Sequence, residues 1–236
     1  MPNIEFMEAH GELVGVAPKP EPAIDMIPEW WRNQPSFMND GSIVNGNYQT
    51  TIKKCQAIFD SISSGYIIKC PIDIQIDTTN GGVQTQIPAP LQPWNQHFIS
   101  AHPRSQMSNF PIDNDLYVDT FLRIHPVWVF KTSPGYSALI MPLAMREPLP
   151  VMAVTAVVDS DKFISDGHIS FFVKKGFKGV IKQGTPLFQV IPFKREEWTH
   201  SFTEFNNDII EKQRKVVRST FMNGYKLKYW TKKVFK

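Results

Sequence analysis

Apolar residues along this chain recur with two different periods. Between Ile52 and Ile62, the positions Ile52, Cys55, Ile58, Phe59 and Ile62 follow the spacing of one helix face. Thr50 or Thr51 is placed to cap the start of this helix, and Ser63-Ser64-Gly65 to end it. Downstream the period falls to two. Ile72, Ile74 and Ile76 share one face of a strand over 67–76, Thr78-Thr79-Asn80-Gly81-Gly82 is a turn signal, and 83–87 returns as the second strand of a hairpin.

Residues 88–117 are polar and proline-punctuated, which predicts a long surface loop. After it "TFLRIHPVWVFKT" reads as a long strand, and "SPGYS" as a turn in which Pro134-Gly135 suits type II geometry. Further strands follow at 137–142, at 151–158, and in "HISFFVK", "GVI" and "PLFQVIPF". Short β segments separated by Gly or Pro turns predict a sandwich, barrel or jelly roll.

The two ends break this pattern. Residues 1–48 read as an extended arm, because "PKPEP" pre-sets an extended backbone. Pro28 can open a short helix with Glu29 in its first turn. Trp30 and Trp31 on that helix are expected to pin the arm to the domain or to a neighbouring subunit, an aromatic ligand cage being the other reading. At the other end, Phe205, Ile209, Val216 and Val217 predict an amphipathic helix over 203–218. The expected organisation is an arm at 1–48, a β domain at 49–200, and a helix with a basic aromatic tail at 201–236.

Composition sharpens parts of this reading. Nineteen prolines against thirteen glycines favour short strands and turns over a helical bundle. No basic stretch followed by an apolar run opens the chain, and no apolar run approaches the ~20 residues of a membrane span, so neither secretion nor a membrane is expected. Cys55 and Cys70 are expected to be reduced and buried. The net charge of +3 hides an asymmetry: residues 211–236 carry nine Lys or Arg and one acid, leaving −5 for the first 210 residues. Such a tail suits an acidic partner or nucleic acid. In "YKLKYWTKKVFK" lysines flank Tyr225, Tyr229, Trp230 and Phe235, so the aromatics either stack on bases or dock on the protein itself.

Recognisable chemistry is sparse. The chain has no G-x-S-x-G elbow, phosphate loop or G-x-G-x-x-G turn. None of its six histidines makes a metal-ligand spacing, although two of His97, His102 and His125 could converge with Asp159 in space. No metal and no cofactor is expected. The remaining candidate is "VVDSDKF", where Asp159 and Asp161 follow an apolar run. It reads as an acid pair for catalysis or as a strand-end turn.

The stretch "PGYSALIMPLA…AVVDSDKF…GFKGVIKQGTPLFQVIPF", within residues 134–193, resembles the core of the dUTPase and dCTP-deaminase family. That resemblance implies a jelly-roll or β-clip fold and an oligomer. It puts Asp159 and Asp161 on the family's D-x-D, Gly184 and Gln189 on its G…Q, and Arg146 of "PLAMREP" nearest its missing Arg-Ser-Gly segment. It implies Asp159 as base, with Asp161, Arg146 and Gln189 as ligand contacts. The family's tyrosine after the D-x-D is replaced by Lys162-Phe163, and its glycine-rich C-terminal clamp is absent. A longer set, "IPEWW", "TIKKCQAIFDSISSGYIIKCPIDI", "FKTSPGYSALIMP", "VVDSDKF" and "GTPLFQVIPFKREEW", resembles an uncharacterised family of T4-like marine phages and some bacteria.

Together these predict a mainly β, sandwich-like oligomer of the jelly-roll or β-clip kind, with a short helix near 52–62 and a C-terminal amphipathic helix. The expected role is a non-enzymatic phage structural or accessory protein, in the virion or the host cytoplasm. It would contact other copies or other phage proteins through Trp30, Trp31, Tyr229 and Trp230. The alternative is a dUTPase-like nucleotide or phosphorylated-ligand binder or hydrolase. In the turn reading of "VVDSDKF", Asp159 bonds backbone, Asp161 faces water and Phe163 returns to the core.

Overall fold

Alternating apolar positions produce strands wherever a turn residue lets the chain reverse. The computed structural model describes the chain apart from residues 10, 14, 39–40, 45–46, 95–97, 126 and 165–168. His10, His97 and His168 therefore lie outside the described residues. In chain order the strands are β1 (Ile4–Glu8), β2 (Glu21–Pro22), β3 (Ile43–Val44), β4 (Asn47–Tyr48), β5 (Tyr66–Lys69), β6 (Ile74–Asp77), β7 (Gln84–Gln86), β8 (Ile99–Pro103), β9 (Tyr117–Ile124), β10 (Trp128–Thr132), β11 (Tyr136–Pro142), β12 (Val151–Ala153), β13 (Ala156–Val158), β14 (Ile169–Lys174), β15 (Lys178–Ile181) and β16 (Pro186–Lys194). The α-helices are α1 (Glu29–Asn33), α2 (Gln56–Ser63), α3 (Asn207–Met222) and α4 (Gly224–Lys228).

The architecture is mainly β, antiparallel and sandwich-like, as the period-two pattern predicts. One sheet has the order β13-β11-β16-β5-β2 and another the order β12-β14-β9-β8, with smaller β15-β6-β7 and β1-β10 sheets. Ile68, Ile140, Phe188 and Val190 of the first sheet and Leu122, Ile124, Phe171 and Val173 of the second join one buried cluster. The Phe171 and Phe188 rings pack there at 6.1 Å. Alternate residues of the second sheet point the other way: Tyr117, Phe121, Phe172 and Met152 gather with Met107 and Ile112 on its other face.

That second cluster explains one correction. The segment expected as a surface loop at 88–117 contains β8, which pairs with β9, and Met107 and Ile112, which help cover the outer face of this sheet. The long strands expected over 67–76, 120–132 and 151–158 are each two strands. β12 and β13 lie in different sheets, because an apolar run does not mark where the chain crosses from one layer to the next.

The chain forms two compact units, Met1–Pro22 with Gly65–Arg195, and Ala23–Ser64 with Glu196–Lys236. The boundaries expected at 48 and 200 are not those observed. Residues 1–22 belong with the β unit because β1 pairs with β10 and β2 with β5. At the start of β5, Gly65 has φ +72°, and a Cβ there would lie 2.1 Å from the Val190 carbonyl oxygen, so only glycine permits this approach.

The second unit gathers its aromatics around α2. Thr51 caps the 3₁₀ turn Ile52–Lys54 that leads into the helix, accepting from the Lys53 amide. Trp31, 4% exposed, packs 5.9 Å from Phe59, and Phe59 lies 6.5 Å from Trp230. The C-terminal helix runs later than the predicted 203–218, with Asn206 accepting from the Ile209 amide at its start. Its regular turn is interrupted at Ser219–Phe221, and Thr220, Phe221 and Met222 all have positive φ. Gly224 makes this break sterically feasible, since a Cβ there would meet the Val216 carbonyl oxygen at 1.6 Å. Cys70 is buried but Cys55 is exposed, contrary to expectation, and both are free thiols. Among the described residues no helix is long and apolar enough to cross a membrane.

Candidate functional site

The "VVDSDKF" stretch leaves β13 and turns at once: the Asp159 carbonyl accepts from the amides of Lys162 and Phe163, each at 3.0 Å. Opposite it lies the β10–β11 turn. The Tyr136 amide donates to the Ser133 carbonyl at 3.2 Å and Gly135 has φ +84°, the left-handed value a type II turn requires. Ser160 is buried between the two turns, its hydroxyl 2.8 Å from that of Thr132.

Arg195, immediately after β16, closes the arrangement. Its amide donates to the Gly135 carbonyl at 2.9 Å. Its Nη1 lies 2.8 Å from Asp161 Oδ1 and its Nη2 2.5 Å from Asp161 Oδ2, a forked pair. The Gly135 amide adds a bond to Asp161 Oδ2 at 2.8 Å. Nη1 also reaches the Tyr136 carbonyl, the Ser137 hydroxyl and Asp159 Oδ1 at 3.1, 2.9 and 3.2 Å. Ser137 donates to Asp159 Oδ1 at 2.6 Å.

This reverses the roles expected for the two carboxylates. Asp161 does not face water: its side chain is 5% exposed, while that of Asp159 is 56% exposed. The Asp159 carboxylate is held by side chains, not by backbone, and only its carbonyl serves the turn. Phe163 is exposed and does not return to the core. The electrostatics follow from the donors. Arg195 and then the Gly135 amide hold the Asp161 carboxyl far below the usual carboxylate range, against the opposing effect of burial. The Ser137 hydroxyl, followed by the Arg195 charge, lowers Asp159 as well, and Asp161 raises Arg195.

Gln189 and Arg146 do not join this cluster. Gln189 is 1% exposed and accepts from the Ala144 amide at 3.4 Å. It pairs with Met141, four residues along β11 from Ser137, or ~13 Å at the rise of a strand. Arg146 lines a cavity of about 380 Å³ with Pro142, Glu147, Met152 and Lys174, and burial lowers its pKa. A larger open cleft of about 850 Å³, bordered by Arg104, Asp119 and Lys175, contains none of the predicted residues.

Ser100 does bring two histidines together, with His102 Nε2 at 2.9 Å and His125 Nε2 at 3.4 Å from its hydroxyl. Among the described residues no group of three His, Cys, Asp or Glu is placed to hold a metal, so Asp159 does not complete a set with these histidines.

The aromatic candidates divide. Trp31 is buried, and Trp30 packs edge-on against it at 5.5 Å. Trp230 donates from Nε1 to both Asp60 oxygens at 3.1 and 3.0 Å, with the ammonium groups of Lys226 and Lys233 each 5.9 Å from its ring. Trp31 and Trp230 are therefore engaged within their own unit, whereas Tyr229 remains exposed. Sequence reasoning missed Arg195 and Ser137. The available signal was slight: an arginine directly after the last strand and, 34 residues before it, a turn that carries two acids. No protein-family model, curated protein or solved structure matches the chain.

Proposed function

We propose that this chain is a non-enzymatic protein that works through contacts with copies of itself or with a protein partner. The resemblance to phage chains suggests the setting, a virion component or an accessory protein of the infected cell. The observation that carries this reading is the engagement of both carboxylates at the position where the dUTPase-like pattern would place its base. A general base needs a free lone pair facing a water and a pKa near the working pH. Asp161 has both oxygens on Arg195 or Gly135, and Asp159 shares Arg195 while accepting from Ser137. Both carboxyls are held below their ordinary range, which makes them weak bases at neutral pH. The large apolar residues left in solvent between Trp198 and Val234 supply a contact surface.

One observation favours the alternative, a dUTPase-like binder or hydrolase with Asp159 as base: the Asp159 side chain is more than half exposed beside Ser137 and Arg195. Incubation with a nucleotide panel, followed by assays for phosphate, pyrophosphate and ammonia, separates the two. The contact reading expects no release. Release that disappears in Asp159→Asn would overturn it.

A further inference from the structure

The acidic partner suited to the basic tail is present in the chain itself. Residues 196–210 contain four acids and no Lys or Arg, and they run directly into residues 211–236 with their nine cations. Within the single chain these charges stay largely apart. Among the described residues Glu197, Glu204 and Asp208 form no ion pair, and neither do Lys212, Lys215 and Arg218. Arg214 pairs with Glu211 inside the segment, and Lys233 pairs with Asp60 of α2 outside it.

The same segment is apolar where it is charged. Trp198 and Phe202 are 86% and 94% exposed, and Phe205, Ile209, Phe221 and Leu227 are also exposed. Helix α3 spans 16 residues yet buries none of them. A helix of that length is marginal in water and owes its stability to packing of an apolar face. Ile209 and Val216, and likewise Ile210 and Val217, stand seven residues apart, two helical turns, and so share one apolar stripe of α3.

We propose that residues 196–236 pair antiparallel with the same segment of a second copy of this chain. A two-fold interface is self-complementary, so a segment that is acidic at one end and basic at the other satisfies itself only when antiparallel. An axis near Ile210 sets Asp208 of one copy against Lys212 of the other and carries Glu204 toward Lys215. Ile209 and Ile210 of the two copies meet at the centre. Val216 and Val217 fall opposite residues 203–205 of the other copy, where Phe205 covers them, and Phe202 and Trp198 reach toward residues 218–222. The inference rests on the contact reading above and names its partner.

The test measures the mass of the full chain by sedimentation, in low and high salt, for the wild type and two charge-reversed variants. Glu204→Lys with Asp208→Lys reverses the acids that would face Lys212 and Lys215, and Lys212→Glu with Lys215→Glu makes the centre of the segment acidic. The wild type is expected to form a dimer that weakens with salt. Each variant alone should raise the self-dissociation constant at least about tenfold. An equimolar mixture of the two should restore the dimer, because every reversed charge then meets its opposite. Circular dichroism of each variant checks that α3 survives. A wild-type monomer, a dimer indifferent to both variants, or a mixture that stays monomeric would overturn the pairing. So would a monomer that binds single-stranded oligonucleotide with steep salt dependence, which would assign the tail to nucleic acid. A monomer without nucleotide turnover defeats only the pairing, whereas turnover lost in Asp159→Asn defeats the contact reading itself.

Discussion

Arg195 grips Asp161 with both prongs of its guanidinium, at 2.8 and 2.5 Å, and so joins the end of β16 to the turn after β13. The pair also fixes the β10–β11 turn, because Asp161 accepts the Gly135 amide and the Arg195 amide donates to the Gly135 carbonyl. Breaking it is expected to lower the melting temperature of the β unit. Asp161→Asn should cost more than Asp159→Asn, since its carboxylate is the more enclosed and takes the fork. Arg195→Lys should not rescue the pair, because an ammonium cannot make two parallel bonds. Thermal unfolding of the three variants checks this order.

Acid should act through the same groups. The carboxyls of Asp161 and Asp159 sit below their ordinary range for the reasons given above. Asp77 is lowered to about 2 by the Thr79 hydroxyl and then by Lys178. A carboxyl depressed in the folded state contributes stability that is complete above its unfolded pKa and is lost as pH falls through the folded value. The melting temperature should therefore hold steady near neutrality and drop as pH falls from about 4 toward 2. Asp161→Asn should flatten part of that drop. An unchanged acid profile in this variant would contradict the assignment.

Gly65 tests the sheet rather than the cluster. Gly65→Ala places a methyl group against the Val190 carbonyl and adds the strain of a left-handed alanine. A loss of about 3–5 kcal/mol is expected in denaturant unfolding. Gly135→Ala, where nothing lies within 4 Å, should cost only the backbone strain.

In the second unit, Trp230→Phe keeps an aromatic ring near Phe59 but removes the Nε1 donor to Asp60. A hydrogen bond to a charged acceptor contributes about 1.5–3 kcal/mol. Chemical denaturation should show a loss in that range, and Trp230→Ala a larger one.

Local pattern made much of this legible. The helical spacing at 52–62, the Gly81-Gly82 hairpin signal and the Pro134-Gly135 turn each correspond to an element, because each depends on residues close in sequence. Pairing over distance was not legible. Period-two alternation gives the buried face of a strand but not its neighbour, so nothing in "NIEFMEA" announces that Phe6 sits opposite Phe130. The site suffered the same limit. "DSD" marked the turn, but its cation lies 34 residues away from Asp161, and only the fold brings Arg195 beside it. Asp159 and Asp161 exchanged their expected roles because their solvent exposure is decided by that distant partner.

Nucleotide turnover by the wild type beside Asp159→Asn tests the central claim most directly. If both carboxylates serve the Arg195 cluster and the chain works by contact, neither protein releases phosphate, pyrophosphate or ammonia from any nucleotide of the panel. Turnover by the wild type that vanishes in a folded Asp159→Asn would contradict the account.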